Sequence, residues 1–150
     1  MDSALHALAP RAKSRDELLK HLIKRGVELD TANAVLDHLE LQGLLNDLEF
    51  AKLWAQSRQR QKKLSKRVIA GELRTKGVAQ DVIDEVIEEI DDQAEYQLAF
   101  SLAEKKFRSC SHLESEKIYS RVVGVLNRKG FSSSLSTRIV RELLGSHQAN

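Results

Sequence analysis

The chain has 150 residues, 41% apolar, only 5% aromatic and 31% charged, a mixture that suits amphipathic helices better than sheets. Its 24 basic and 22 acidic side chains leave a net charge of +2, too balanced for the total to identify a polyanion binder, so the distribution along the chain must inform. Cys110 is the only cysteine, which excludes an internal disulfide and any zinc site or paired redox motif built on cysteine, and suits a reducing compartment.

From Met1 to Pro10 there is no apolar run long enough for a secretion signal or a membrane span, so the expected setting is the cytoplasm with no membrane partner. Ala4 to Ala9 offers a short first helix. Ser14-Arg15-Asp16-Glu17 then reads as a capping box, opening a helix with Leu18 and Leu22 on one face and Gly26 at its end. Asp30 charges the first turn of the next helix, whose apolar stripe is Val35, Leu36 and Leu39. Asn46-x-x-Glu49 caps another, with Phe50, Leu53 and Trp54 expected to face inward.

Arg58 to Arg67 (RQRQKKLSKR) carries six cations and no acid. Ser65 caps a helix containing Ile69 and Leu73 and ending at Gly77, and the helix after it carries Val86, Ile87 and Ile90. From Asp81 to Glu95 the sign reverses: Asp81, Asp84, Glu85, Glu88, Glu89, Asp91, Asp92 and Glu95 occur without a Lys or Arg. Tyr96 to Phe107 predicts a further helix, followed by one with Val122 and Leu126 that ends at Gly130, and a last one with Ser134 near its start and Ile139, Val140 and Leu143 inside.

These elements repeat. Leu22 to Val27 (LIKRGV), Leu73 to Val78 (LRTKGV) and Leu126 to Phe131 (LNRKGF) align, with Gly26, Gly77 and Gly130 in register. A left-handed residue beyond the last helical turn is cheapest as glycine, and Arg25, Lys76 and Lys129 before it meet the negative end of the helix dipole. The expected architecture is all-α: an elongated, curved array of three tandem three-helix repeats, spanning 1–45, 46–90 and 91–150. Single units of this size bury too little apolar surface to stand alone, so neighbours must share contacts.

The cation run, extended by Arg74 and Lys76, is the strongest functional signal. Lys and Arg contacts to phosphates release condensed counterions and give affinity without sequence preference. No aromatic residues interleave with the run, so it does not read as a base-stacking surface. A solvated helix face is the plain alternative for the basic run; for the acidic stretch a solvated face is the first reading, with a partner-contacting or self-screening role beside it.

Catalytic chemistry finds no support. There is no Gly-x-Ser-x-Gly elbow, and Cys110 with His112 lacks a third orienting group. His6, His21, His38, His112 and His147 show no metal-binding spacing. Glu88 and Glu89 are helix neighbours that point apart rather than across a cleft. No enzyme activity, metal or cofactor is expected.

Leu39 to Arg58 (LELQGLLNDLEFAKLWAQSR) resembles the Leu-x-x-x-Gly-Leu-Leu-Asp-Asp-x-x-Phe-Ala stretch of the RecX family. The basic segment and the helix ending Glu72-Leu73-Arg74-Thr75-Lys76-Gly77 follow it as in that family. Ser14 to Gly26 is similar to the family's Ser-x-x-Glu-Leu-x-x-Lys-Leu opening. Asn46 departs from the first Asp of the pair, and Gln61 to Ser65 lacks the Gly-aromatic-Gly-Pro turn common there. The resemblance implies tandem three-helix repeats and a regulator that binds in the groove of a RecA filament on single-stranded DNA and restrains its strand-exchange, ATPase and co-protease activities; a monomer is expected. Arg58, Arg60, Lys62, Lys63, Lys66 and Arg67 are then the candidate contacts to RecA and its DNA, with Arg74 and Lys76 extending them. Two other readings stand beside it: direct DNA binding without sequence preference, and a scaffold that recruits another protein through apolar surface.

Overall fold

The computed structural model describes residues 13–149, so the short helix expected at Ala4 to Ala9 lies outside the described residues. Among them are eight α-helices and no strand: α1 (Arg15–Lys24), α2 (Leu29–Leu41), α3 (Asp47–Ser57), α4 (Lys66–Thr75), α5 (Gln80–Glu88), α6 (Asp92–Cys110), α7 (Ser115–Arg128) and α8 (Ser133–Ala149). A single π-helical stretch, Arg58–Lys62, continues from α3.

The local signals explain most of the boundaries. Ser14 and Glu17 form the capping box at α1: Glu17 N–H donates to Ser14 Oγ (3.1 Å) and Ser14 N–H to Glu17 Oε1 (3.2 Å). Asn46 Oδ1 accepts from Glu49 N–H at 3.1 Å before α3. Asp30 and Asp81 charge the first turns of α2 and α5 without capping them, since the caps are Glu28 and Ala79. Ahead of α8 the cap is Ser132, two residues before Ser134; the Ser132 Oγ accepts from Leu135 N–H at 3.1 Å.

All three aligned glycines adopt positive φ: 90° at Gly26, 78° at Gly77 and 93° at Gly130. Each closes the same pair of hydrogen bonds. Gly26 N–H donates to Ile23 O and Val27 N–H to Leu22 O; Gly77 and Val78 repeat this on Arg74 and Leu73, Gly130 and Phe131 on Asn127 and Leu126. This is the Schellman closure, in which the last carbonyls of a helix are satisfied by the two residues that leave it.

The contacts gather into two compact units, one built from the chain up to Ser57 with Ala70–Glu89, the other from Arg58–Ile69 and Ile90 onward. In the first, α1 packs on α2 and α3 on α5. Leu18, Leu22, Ala32, Leu36, Leu39 and Leu45 form one buried cluster there. Ser14, itself buried, donates its Oγ–H to Lys76 O (2.6 Å), so the cap of α1 is pinned to the turn that ends α4. Asp47 accepts from Arg15 N–H at 2.8 Å, and burial holds its carboxyl above the usual range against that hydrogen bond.

In the second unit α6, α7 and α8 pack pairwise around Ala99, Ala103, Phe107, Ile118, Val122, Leu126, Phe131, Ile139, Val140 and Leu143. Ser65 plays the part there that Ser14 plays in the first. It is buried, its Oγ–H donates to Gly130 O (2.9 Å), and its N–H donates to Lys129 O (3.0 Å).

One packing expectation is corrected. Leu53 is 58% exposed, because α3 buries the narrower stripe Phe50, Ala51 and Ala55. Trp54 lies at the edge of that stripe, half-buried, stacked on Phe50 with ring centroids 6.0 Å apart. Its indole N–H donates to Glu72 Oε1 at 3.2 Å.

Candidate interaction surface

The basic segment begins where α3 loosens into the π-helical stretch Arg58–Lys62, none of whose residues is buried. A π turn closes its hydrogen bonds one residue further back than an α turn and widens the coil, so the side chains after Ser57 leave the α3 register. Arg60, Lys62 and Lys63 are exposed and Arg58 is half-buried. The stretch ends at Lys62 and is followed by Lys63, the one non-glycine residue with positive φ (57°) among the described residues. Lys63 stands in the loop where the family pattern carries glycine, and it holds the left-handed conformation without glycine's freedom.

That conformation costs an L-residue about 1 kcal/mol or more. We therefore expect Lys63→Gly to raise stability by about 0.5 kcal/mol once glycine's greater unfolded-state entropy is deducted, and Gln61→Gly two residues earlier to lower it. Urea unfolding of the two variants checks this; a Lys63→Gly protein less stable than Gln61→Gly would show that the turn is not strained.

Lys66 and Arg67 open α4 in the same unit, and their roles diverge. Lys66 is held by the carboxylates of Asp92 and Glu95, and its backbone N–H donates to Glu95 Oε1 at 2.8 Å. The hydrogen bond to Asp92 holds its ammonium pKa above the ordinary lysine value. Arg67 is exposed, with one Nη2 hydrogen bond to Gly130 O at 3.1 Å.

Arg74 and Lys76 belong to the first unit. Arg74 is exposed and donates from Nε to Gln80 Oε1 at 2.9 Å. Lys76 is half-buried, its ammonium 3.1 Å from Glu17 Oε2 and 4.8 Å from the centre of the Trp54 ring.

The eight cations are therefore not one class. Arg60, Lys62, Lys63, Arg67 and Arg74 present charge to solvent, whereas Lys66 and Lys76 are committed to carboxylates of their own units. The sequence reading missed those acids. Glu17 was legible as a capping residue, but its second oxygen serves Lys76, 59 residues away. Asp92 and Glu95 stood in a stretch whose first reading was a solvated face, with a partner-contacting or self-screening role beside it, and they pair with Lys66.

Among the described residues no group of three His, Cys, Asp or Glu side chains could hold a metal ion, and no helix is long and apolar enough to cross a membrane. The buried Cys110 Sγ–H points to Lys106 O (3.2 Å).

Three family models match consecutive parts of the chain: the first three-helix domain of RecX over residues 1–39, the second over 46–87 and the third over 93–140. Regulatory protein RecX of Mycobacterium avium (strain 104) is 42% identical over 137 residues, which cover 91% of this chain and 79% of that protein. Its counterpart in Streptomyces coelicolor is 36% identical over 140 residues, 93% of this chain and 74% of that protein. Among solved structures, the crystal structure of RecX from Lactobacillus salivarius superposes with a TM-score of 0.85 at 22% identity, covering 95% of this chain and 92% of that one. A second RecX crystal structure superposes with a TM-score of 0.77 at 24% identity, over 90% and 66% of the two chains. With relatives of this identity spanning most of both partners, the chain belongs to the RecX family of regulatory proteins.

Proposed function

We propose that this protein binds the RecA filament on single-stranded DNA and modulates, mainly inhibits, its recombinase, ATPase and co-protease activities. It acts without chemistry of its own, as a monomer in the cytoplasm, through three tandem repeats over 1–45, 46–90 and 91–150. The observation that carries this reading is the exposed run Arg60, Lys62 and Lys63, on and just after the π-helical stretch of a RecX-family chain, a cluster of cations that the fold leaves unburied. Such a cluster, with Arg67 in the same unit, suits the phosphates of DNA held inside a filament and the acidic surface of the protein that holds it.

The reading predicts that saturating protein lowers both the ATP-hydrolysis rate and the strand-exchange rate of the cognate RecA on single-stranded DNA. Unchanged rates at saturation would remove it.

A further inference from the structure

The last helix of each repeat can be compared position by position, counting from the glycine that precedes it. Eight residues on stand Ala34, Glu85 and Arg138, and eleven on stand Asp37, Glu88 and Arg141. All six are exposed, so they occupy the same outward stripe of α2, α5 and α8. Four residues on, Asp30 and Asp81 give way to Ser134. The frame is shared, but only in the third repeat is its outward stripe basic and hydroxylated, and the first turn of α8 contains no acid.

That stripe is also shaped. Ser133, Ser134, Thr137, Arg138, Arg141 and Glu142 line a shallow cleft of about 670 Å³. Glu142, its one acid, is engaged at the border, where its Oε2 accepts the Tyr96 hydroxyl proton at 2.6 Å. The Arg138 guanidinium lies 4.9 Å from the centre of the same Tyr96 ring. Thr137 also meets the exposed Tyr119, hydroxyl to hydroxyl, at 3.1 Å. Outside the cleft, Arg67 of the cation run reaches Gly130 O, three residues before α8 begins.

We infer that the outward stripe of α8 is a binding surface for a single phosphodiester strand. Arg138 and Arg141, one helical turn apart, take neighbouring phosphates, and the Ser134 and Thr137 hydroxyls donate to phosphate oxygens. The exposed Tyr119 ring stacks an unpaired base, which a duplex keeps inside its stack. The same positions of α5 carry Glu85 and Glu88, so that helix offers a strand no such surface. This surface requires no recombinase, so it stands or falls separately from filament regulation.

Fluorescence anisotropy of a short labelled oligothymidine, without RecA, tests it. Wild-type protein binds the strand, and unlabelled duplex of equal length competes less well than unlabelled strand. Arg138→Ala with Arg141→Ala weakens binding at least about tenfold and makes the dependence of log affinity on log salt shallower by about 1.4, two contacts at ~0.7 each. Glu85→Ala with Glu88→Ala, the same positions in the second repeat, leaves affinity equal or tighter. Melting curves matching wild type show that the exposed substitutions leave the fold intact. The inference is overturned if wild type does not bind the strand, if the double arginine variant binds as wild type does, or if duplex competes better than strand.

Discussion

Gly130→Ala destabilises the protein by about 3 kcal/mol, while the same change at Gly26 costs about 1 kcal/mol. Both residues have φ near 90°, so both substitutions incur the left-handed penalty of roughly 1–2 kcal/mol. Their surroundings differ. A Cβ at Gly26 meets nothing within 4 Å among the described residues, whereas at Gly130 it would overlap the Val68 side chain and come within 2.6 Å of Ser65 Oγ. Ser65 cannot retreat without losing its buried hydrogen bond to Gly130 O, a group worth about 1–3 kcal/mol when left unsatisfied. For a chain of this length the difference separates the melting temperatures by several degrees, roughly 2–4 °C for each kcal/mol. Equal losses at the two glycines would mean that the Ser65 contact does not hold the Gly130 turn.

The second large effect is on binding. Replacing Arg60, Lys62 and Lys63 together by serine is expected to weaken association with the RecA filament at least about tenfold and to make its salt dependence shallower by about two, three phosphate contacts at ~0.7 each. Lys66→Met makes the useful contrast. Its ammonium is already paired with Asp92 and Glu95, so its loss lowers stability and leaves filament affinity near wild type. Salt-dependent binding titrations separate the two. A Lys66 variant that loses as much affinity as the triple variant would show that the exposed run is not the contact.

The parts of this molecule that were legible in the sequence are those governed by short-range rules. Gly26, Gly77 and Gly130 announce their helix ends because the Schellman closure involves only residues within one turn, and the Ser14–Glu17 box is equally local. What lay outside sequence reasoning is pairing at a distance. Ser14 and Ser65 read as caps, yet each also binds a turn more than 60 residues on. Lys66 read as part of a basic face until Asp92 and Glu95 were seen to claim it. Leu53 failed for a different reason: periodicity marks an apolar side of α3 without fixing how wide a stripe the neighbours cover, and two alanines supply the buried contacts instead.

The α8 stripe shows the converse, a signal present in the sequence and overlooked. Arg138 and Arg141 are separated by Ile139 and Val140, so no run of cations marks them. Only alignment on the repeat glycines, combined with the exposure of all six compared positions, brings the charge reversal from Glu85 and Glu88 into view.

Co-sedimentation with the cognate RecA filament on single-stranded DNA, in the presence of ATP, tests the proposed function most directly. The protein should pellet with the filament at a saturable ratio, and the Arg60, Lys62 and Lys63 triple variant should stay largely in the supernatant. Protein that remains in the supernatant at every filament concentration would contradict the account.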